Sequence, residues 1–160
     1  MSFLPFENIE IKTQLTASQI KERISECIEP KKIFRSGKKN TKPYEGIITG
    51  NRFKIQRIIN YRNSFLPQIK GHIIQTTYGA KVEIKMRLNI AVYIFMTFWL
   101  GGIGSVFLFL LFSSIDDKEF NPLILAPLGM ILFGYVLSTG GFKSESNRSR
   151  KDLEKILIEQ

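Results

Sequence analysis

The chain has 160 residues, with 23 Lys and Arg against 14 Asp and Glu, for a net charge of +9. That length holds one modest domain with appendages and excludes two full ones. The single cysteine, Cys27, excludes an internal disulfide. A mean hydropathy of -0.01 averages a polar half with an apolar half, which excludes an ordinary soluble domain.

The opening MSFLPFENIE has no basic stretch ahead of an apolar run, so no cleavable signal peptide is expected. Thr16 and Gln19 form a capping-box pattern, and Ile20, Ile24, Cys27 and Ile28 fall on one helical stripe. A helix is predicted from Thr16 to Glu29, stopped by Pro30. Cys27 lies on its apolar stripe and reads as a small buried hydrophobe.

KKIFRSGKKNTK, residues 31–42, carries six basic residues and no acidic one. Beside a membrane anchor such a run attracts anionic headgroups, by about 1 kcal/mol per basic residue near the surface. Lys31, Lys32, Arg35, Lys38, Lys39 and Lys42 are therefore the candidate lipid- or ligand-binding residues. The plainer reading is a solvated loop that only sets topology.

Strands follow. Ile33 and Phe34 mark a short early one, and Tyr44 to Thr49 the first clear one. A turn at Gly50-Asn51 leads into Arg52 to Tyr61, with Phe53, Ile55, Ile59 and Tyr61 on one face and Arg57 among them. Arg57 is either an interior charge or a rim residue that reaches water, and the rim is favoured. After the loop YRNSFLP come strands from Ile69 to Thr77 and from Lys81 to Leu88. In the latter, Val82, Ile84, Met86 and Leu88 alternate with charged residues.

No residue from Leu88 to Phe112, or from Phe120 to Phe142, is charged. From Ile90 to Phe112 the first run spans roughly 34 Å as a helix, against a bilayer core of about 30 Å. Two transmembrane helices are expected, at 89–112 and 123–142, joined by a short connector at 113–122. Residues 1–87 carry net +10, the connector -2 and residues 143–160 +1. The basic flanks place the 1–88 module and the 143–160 tail in the cytoplasm and the connector outside. Gly101 with Ser105, and Gly134 with Ser138, are small-xxx-small pairs suited to helix packing. Trp99 is expected against the other helix or a second protomer, and Pro127 to kink the second span. Neither span holds an ionisable residue, which argues against an ion path through one hairpin.

Ser149 and Asp152 suggest the start of a short C-terminal helix, with Arg148–Asp152 and Arg150–Glu154 as i,i+4 pairs. Its narrow face of Leu153, Ile156 and Leu157 docks on the sheet or lies on the bilayer, and the adjacent sheet favours docking.

The fold expected is an α+β membrane protein. It has an N-terminal helix and a four- or five-stranded antiparallel sheet or partial barrel, then a transmembrane hairpin and the short C-terminal helix. His72 is the only histidine, and there is no HExxH, CxxC, GxSxG or P-loop pattern. No catalytic residue, metal site or cofactor is expected. The expected partners are membrane lipids, a second copy of the chain, or a partner protein. Nucleic acid is disfavoured because the anchor holds the module at the bilayer.

YRNSFLPQIKG (61–71), KVEIKMRLNIAVYIFMTFWLGGIG (81–104) and PLGMILFGYVLSTGGFKSESNRSRKDLEKIL (127–157) resemble small uncharacterised bacterial membrane proteins. In these a β-rich module precedes a two-helix hairpin and a basic helical tail. The resemblance implies the bacterial inner membrane and brings no activity or catalytic residues. At the level of fold alone the chain is also similar to antiphage effectors of cyclic-oligonucleotide signalling, which place two helices before a β-barrel; here the order is reversed. Two functions remain open: an anchored binding module, or a ligand-triggered, oligomerising membrane-perturbing effector.

Overall fold

The computed structural model describes residues 5–30, 42–116 and 122–158. Six strands form one open sheet: β1 (Phe6–Thr13), β2 (Ile28–Glu29), β3 (Tyr44–Thr49), β4 (Arg52–Arg57), β5 (Gln68–Thr76) and β6 (Gly79–Arg87). Three helices accompany them: α1 (Ala17–Glu26), α2 (Ile90–Asp116) and α3 (Leu125–Ile158). The strand order is β1-β6-β5-β4-β3-β2.

The sheet is larger than expected and is mixed. β2 runs parallel to β3, while the other neighbouring pairs are antiparallel. Two strands were unforeseen. β2 takes Ile28 and Glu29 from the helix expected to reach Glu29, which ends at Glu26; β1 sets Ile9 and Ile11 in alternation with Asn8, Glu10 and Lys12 and pairs with β6 over its whole length. The proposed strand at Ile33-Phe34 lies outside the described residues. β4 stops at Arg57, four residues before the expected Tyr61: the Ile58 amide still donates to the Pro43 carbonyl at 2.8 Å, but proline has no N–H to return the bond and continue the ladder.

Alternation gives the sheet two unlike faces. Ile11, Tyr44, Phe53, Ile55, Ile69, Ile73, Val82, Ile84 and Met86 are buried on one. Gly71 is needed there, since a Cβ would sit 1.9 Å from the Phe53 ring that lies over it. The Gly50-Asn51 turn joins β3 to β4 with Gly50 at φ 58, a conformation that costs glycine no Cβ clash.

Helix α1 lays Ile20 and Ile24 on the apolar face, and its predicted capping box is formed: the Gln19 amide donates to Thr16 Oγ1 and the Thr16 amide to Gln19 Oε1. The rest of the cover comes from α3. It is one helix of 34 residues, not a span followed by a separate tail. Ser149, read as a helix start, is buried mid-helix. The helix runs on because Phe142, Leu153 and Leu157 enter the same core as the sheet, and Arg150 Nε bonds Glu154 Oε1 at 2.8 Å across one turn. Docking of this segment on the sheet, rather than on a bilayer, is what the structure has. Of the two expected pairs only Arg150–Glu154 forms; Asp152 meets Arg57 and Arg148 meets Glu145.

Both α2 and α3 are long and apolar enough to cross a membrane. α2 starts within three residues of β6, and Asn89 Oδ1 caps it by accepting from the Ala91 amide at 3.0 Å. Pro127 lies in the first turn of α3, where the missing amide hydrogen goes unused, so it needs no kink. Between the helices Trp99 lies against Gly134, and Ser138 is buried nearby. Gly101 and Ser105 do not pack in this pair. Nothing lies within 4 Å of a Cβ at Gly101, because the bulky Trp99 takes the seam and rotates the small residues outward. Gly134→Leu should therefore displace Trp99 and cost about 1–3 kcal/mol by overpacking, whereas Gly101→Leu should be neutral. Thermal unfolding and the emission of Trp99, the only tryptophan, check both.

Candidate binding site at the base of the helix pair

One end of the sheet meets the two long helices. Here lie Phe6 at the start of β1, Arg87 at the end of β6, Gln68 opposite Arg87, and the 58–67 loop. The loop is pinned to α3: Asn63 Nδ2 donates to the Gly141 carbonyl at 3.2 Å, and its Oδ1 accepts from the Phe65 amide at 2.9 Å. Phe65 packs against the core and Leu66 is buried.

Two features occupy this end. The first is a cleft of about 410 Å³ lined by Pro5, Phe6, Arg87, Leu88, Ile90 and Tyr93. Its walls are apolar and its one charge is the exposed Arg87 guanidinium, 6.0 Å above the Phe6 ring. That distance is within reach of a cation–π contact, which steers the guanidinium without consuming its hydrogen-bond donors. An apolar trough beside one cation suits an amphiphilic anion, with its chain on Leu88, Ile90 and Tyr93 and its charged group on Arg87. Arg62, Arg148 and half-buried Lys143 add positive charge at the same end.

The second feature is a polar seam between α3 and the sheet. Glu145, Ser149 and Asp152 recur at helical spacing and face inward. Glu145 is 2% exposed; its Oε1 accepts from the Tyr61 hydroxyl and lies 3.6 Å from Arg148 Nη1, while its Oε2 has no hydrogen-bond partner. Asp152 Oδ2 lies 3.2 Å from Arg57 Nη2 and 3.5 Å from the Tyr44 hydroxyl. Arg57 is thus on the core side, half-buried and paired, rather than a rim residue stretched into water. Such a seam fixes the register of α3 on the sheet, because a shift would strand buried charges without partners.

Of the six basic residues proposed from sequence, Lys31, Lys32, Arg35, Lys38 and Lys39 lie outside the described residues. Lys42 is engaged: its Nζ donates to the Ser25 carbonyl at 2.9 Å, at the end of α1 where carbonyls lack helical partners. Cys27 is half-buried and caps α1, and burial pushes its thiol above the ordinary value, with the Glu26 carboxylate adding to the rise. It is a weak nucleophile in this setting. Among the described residues no three His, Cys, Asp or Glu gather to hold a metal ion. Reading each strand alone missed Arg87 and Tyr93; the signal was the lack of slack between the last strand and the first apolar run.

Burial holds the Tyr44 hydroxyl well above its ordinary 10.0, and the Asp152 carboxylate raises it further. Neutral Tyr44 contributes its full stability below pH 10.0. As pH climbs past that value the unfolded phenol ionises while the folded one resists, so stability must fall. Urea unfolding from about pH 9 to 11 should show this decline, and Tyr44→Phe should make it shallower. No protein-family model, curated protein or solved structure matches this chain.

Proposed function

We propose that the chain is a membrane-anchored cytoplasmic binding module that recognises anionic lipid headgroups and performs no catalysis. The observation that carries this reading is the cleft at the root of α2, where Arg87 stands over apolar walls directly beside a span-length helix. With α2 and α3 across a bilayer, that cleft falls at the headgroup level. Tyr93, Tyr61 and Phe6 then sit where amphipathic aromatics are enriched, and Arg62, Arg148 and Lys143 face the same layer. The basic excess of residues 1–87 puts both termini on the cytoplasmic side, and the resemblance noted above points to a bacterial inner membrane. The cations at 31, 32, 35, 38 and 39 would add a diffuse attraction to any anionic surface.

Native mass spectrometry of the full chain in nanodiscs of mixed zwitterionic and anionic phospholipid tests this. The wild type should retain anionic lipid. Arg87→Gln with Arg62→Gln should weaken retention by about fivefold per charge, and neutralising four of the 31–39 cations should weaken it further. An unchanged lipid complement in every variant would sink the reading.

A second reading, an oligomerising membrane-perturbing effector, is favoured by one observation. Gly101, Gly102 and Ser105 are exposed on α2 and available to a second copy. In that case overexpression is toxic, and Gly101→Leu relieves the toxicity while leaving the monomer folded. Harmless overexpression of the wild type counts against it.

A further inference from the structure

The solvent face of the sheet carries a row that the register alone creates. Lys54 on β4 stands directly opposite Lys70 on β5, and Lys70 directly opposite Lys85 on β6. All three are exposed. Strands lie about 4.8 Å apart, so three ammonium groups are rooted within roughly 10 Å. Like charges directly opposite one another destabilise a sheet.

The neighbouring row shows that the fold neutralises lysines where it does not need them free. Lys81 Nζ lies 2.7 Å from Glu83 Oε1 and 3.6 Å from Glu10 Oε2, and Lys12 Nζ lies 3.9 Å from Glu10 Oε1. Lys54, Lys70 and Lys85 make no ion pair with any described residue. On one side of their row Arg52, His72, Glu83 and Glu10 stand in register, the two carboxylates held by Lys81. On the other are the amides of Gln56 and Gln68, then Arg87. A depression of about 190 Å³ opens at the Lys54 end, lined by Lys54, Gln56, Gln68, Gly46, Ile47 and one carboxylate, Glu45. The face is therefore rich in donors, concave at one end, and without an ion pair to a described residue along its middle row.

We propose that this face binds a compact soluble oligophosphate, two or three linked phosphate groups laid across Lys54, Lys70 and Lys85. A single phosphate is too small to meet all three ammonium groups, whereas a linked pair or triplet spans the row. Lysine suits this role as a mobile point charge. Nucleic acid fits less well, because the row has no aromatic side chain on which a base would stack. A lipid headgroup fits less well too, because the row lies two residues down β6 from Arg87, roughly 7 Å further from α2. The site is separate from the α2 cleft and stands whether or not that cleft holds lipid.

The test uses the full chain in nanodiscs of purely zwitterionic phospholipid, titrated calorimetrically with inorganic tripolyphosphate, orthophosphate and sulfate. Tripolyphosphate should bind at least about tenfold tighter than orthophosphate or sulfate, with affinity falling as salt rises. Lys70→Gln should weaken it about tenfold, and Lys54→Gln/Lys70→Gln/Lys85→Gln should abolish it. Arg62→Gln/Lys143→Gln should leave it unchanged. Folding is controlled within the same proteins: tripolyphosphate should raise the Tm of the wild type and not that of the triple variant, whose own Tm should not fall, since repulsion has been removed. Equal affinity for orthophosphate and tripolyphosphate would overturn the proposal. So would undiminished binding by the triple variant, or tighter binding of a single-stranded oligonucleotide.

Discussion

The structure depends on one helix with two partners. The first half of α3 packs Gly134 and Ser138 toward α2 in an apolar pair, and the second half covers the sheet with Phe142, Leu153 and Leu157. A sheet with one apolar face must bury that face, and α1, with ten residues, covers only part of it. The β module is consequently not separable from the helix pair. It ends at Arg87 in the sheet, but its core is completed from residue 142 onward. The polar seam of Glu145 and Asp152 then sets where along the sheet the helix rests. Apolar contacts alone tolerate sliding, while buried charges with directional partners do not.

The same geometry sorts the charges. Because α1 and α3 take one face, the other is left to water, and most of the cations of β4, β5 and β6 collect there. The helix pair lies at one end of the sheet, so a second basic group, Arg87 with Arg62, Lys143 and Arg148, collects at that end. The described cations are thus gathered mainly on two surfaces of unlike character. One is a flat lysine row bordered by amides. The other is an amphipathic cleft in which a guanidinium stands over carbon. The ligands proposed for them differ for that reason, one a multiply charged soluble anion and the other an anion that carries a tail.

What sequence made legible followed range. Apolar runs as long as 89–112 and 123–142 have few other readings, and Thr16 with Gln19 or Gly50 with Asn51 act within a few residues. β1 alternates as clearly as β6, yet its partners lie 67 to 81 positions away, and no local signal joins them. The end of the second apolar run at Lys143 looked like the end of a helix, because hydropathy changes there; the backbone has no reason to stop, since Ser144 onward suits an amphipathic helix once a sheet is present to cover. Gly101 and Ser105 had the right composition for a seam but the wrong azimuth, which only the placement of Trp99 decides. The lysine row was invisible for a related reason. Each of Lys54, Lys70 and Lys85 is an ordinary outward residue of its own strand, and only the hydrogen-bonded register brings them into line.

Completion of the β core by α3 also imposes an order of events on biosynthesis. The sheet, up to Arg87, leaves the ribosome well before Phe142, Leu153 and Leu157 exist to cover it. For that interval an apolar surface stands open, in the state that chaperones bind and proteases cut. The surface closes only after both apolar helices have been made, so a chain stalled between them keeps it open.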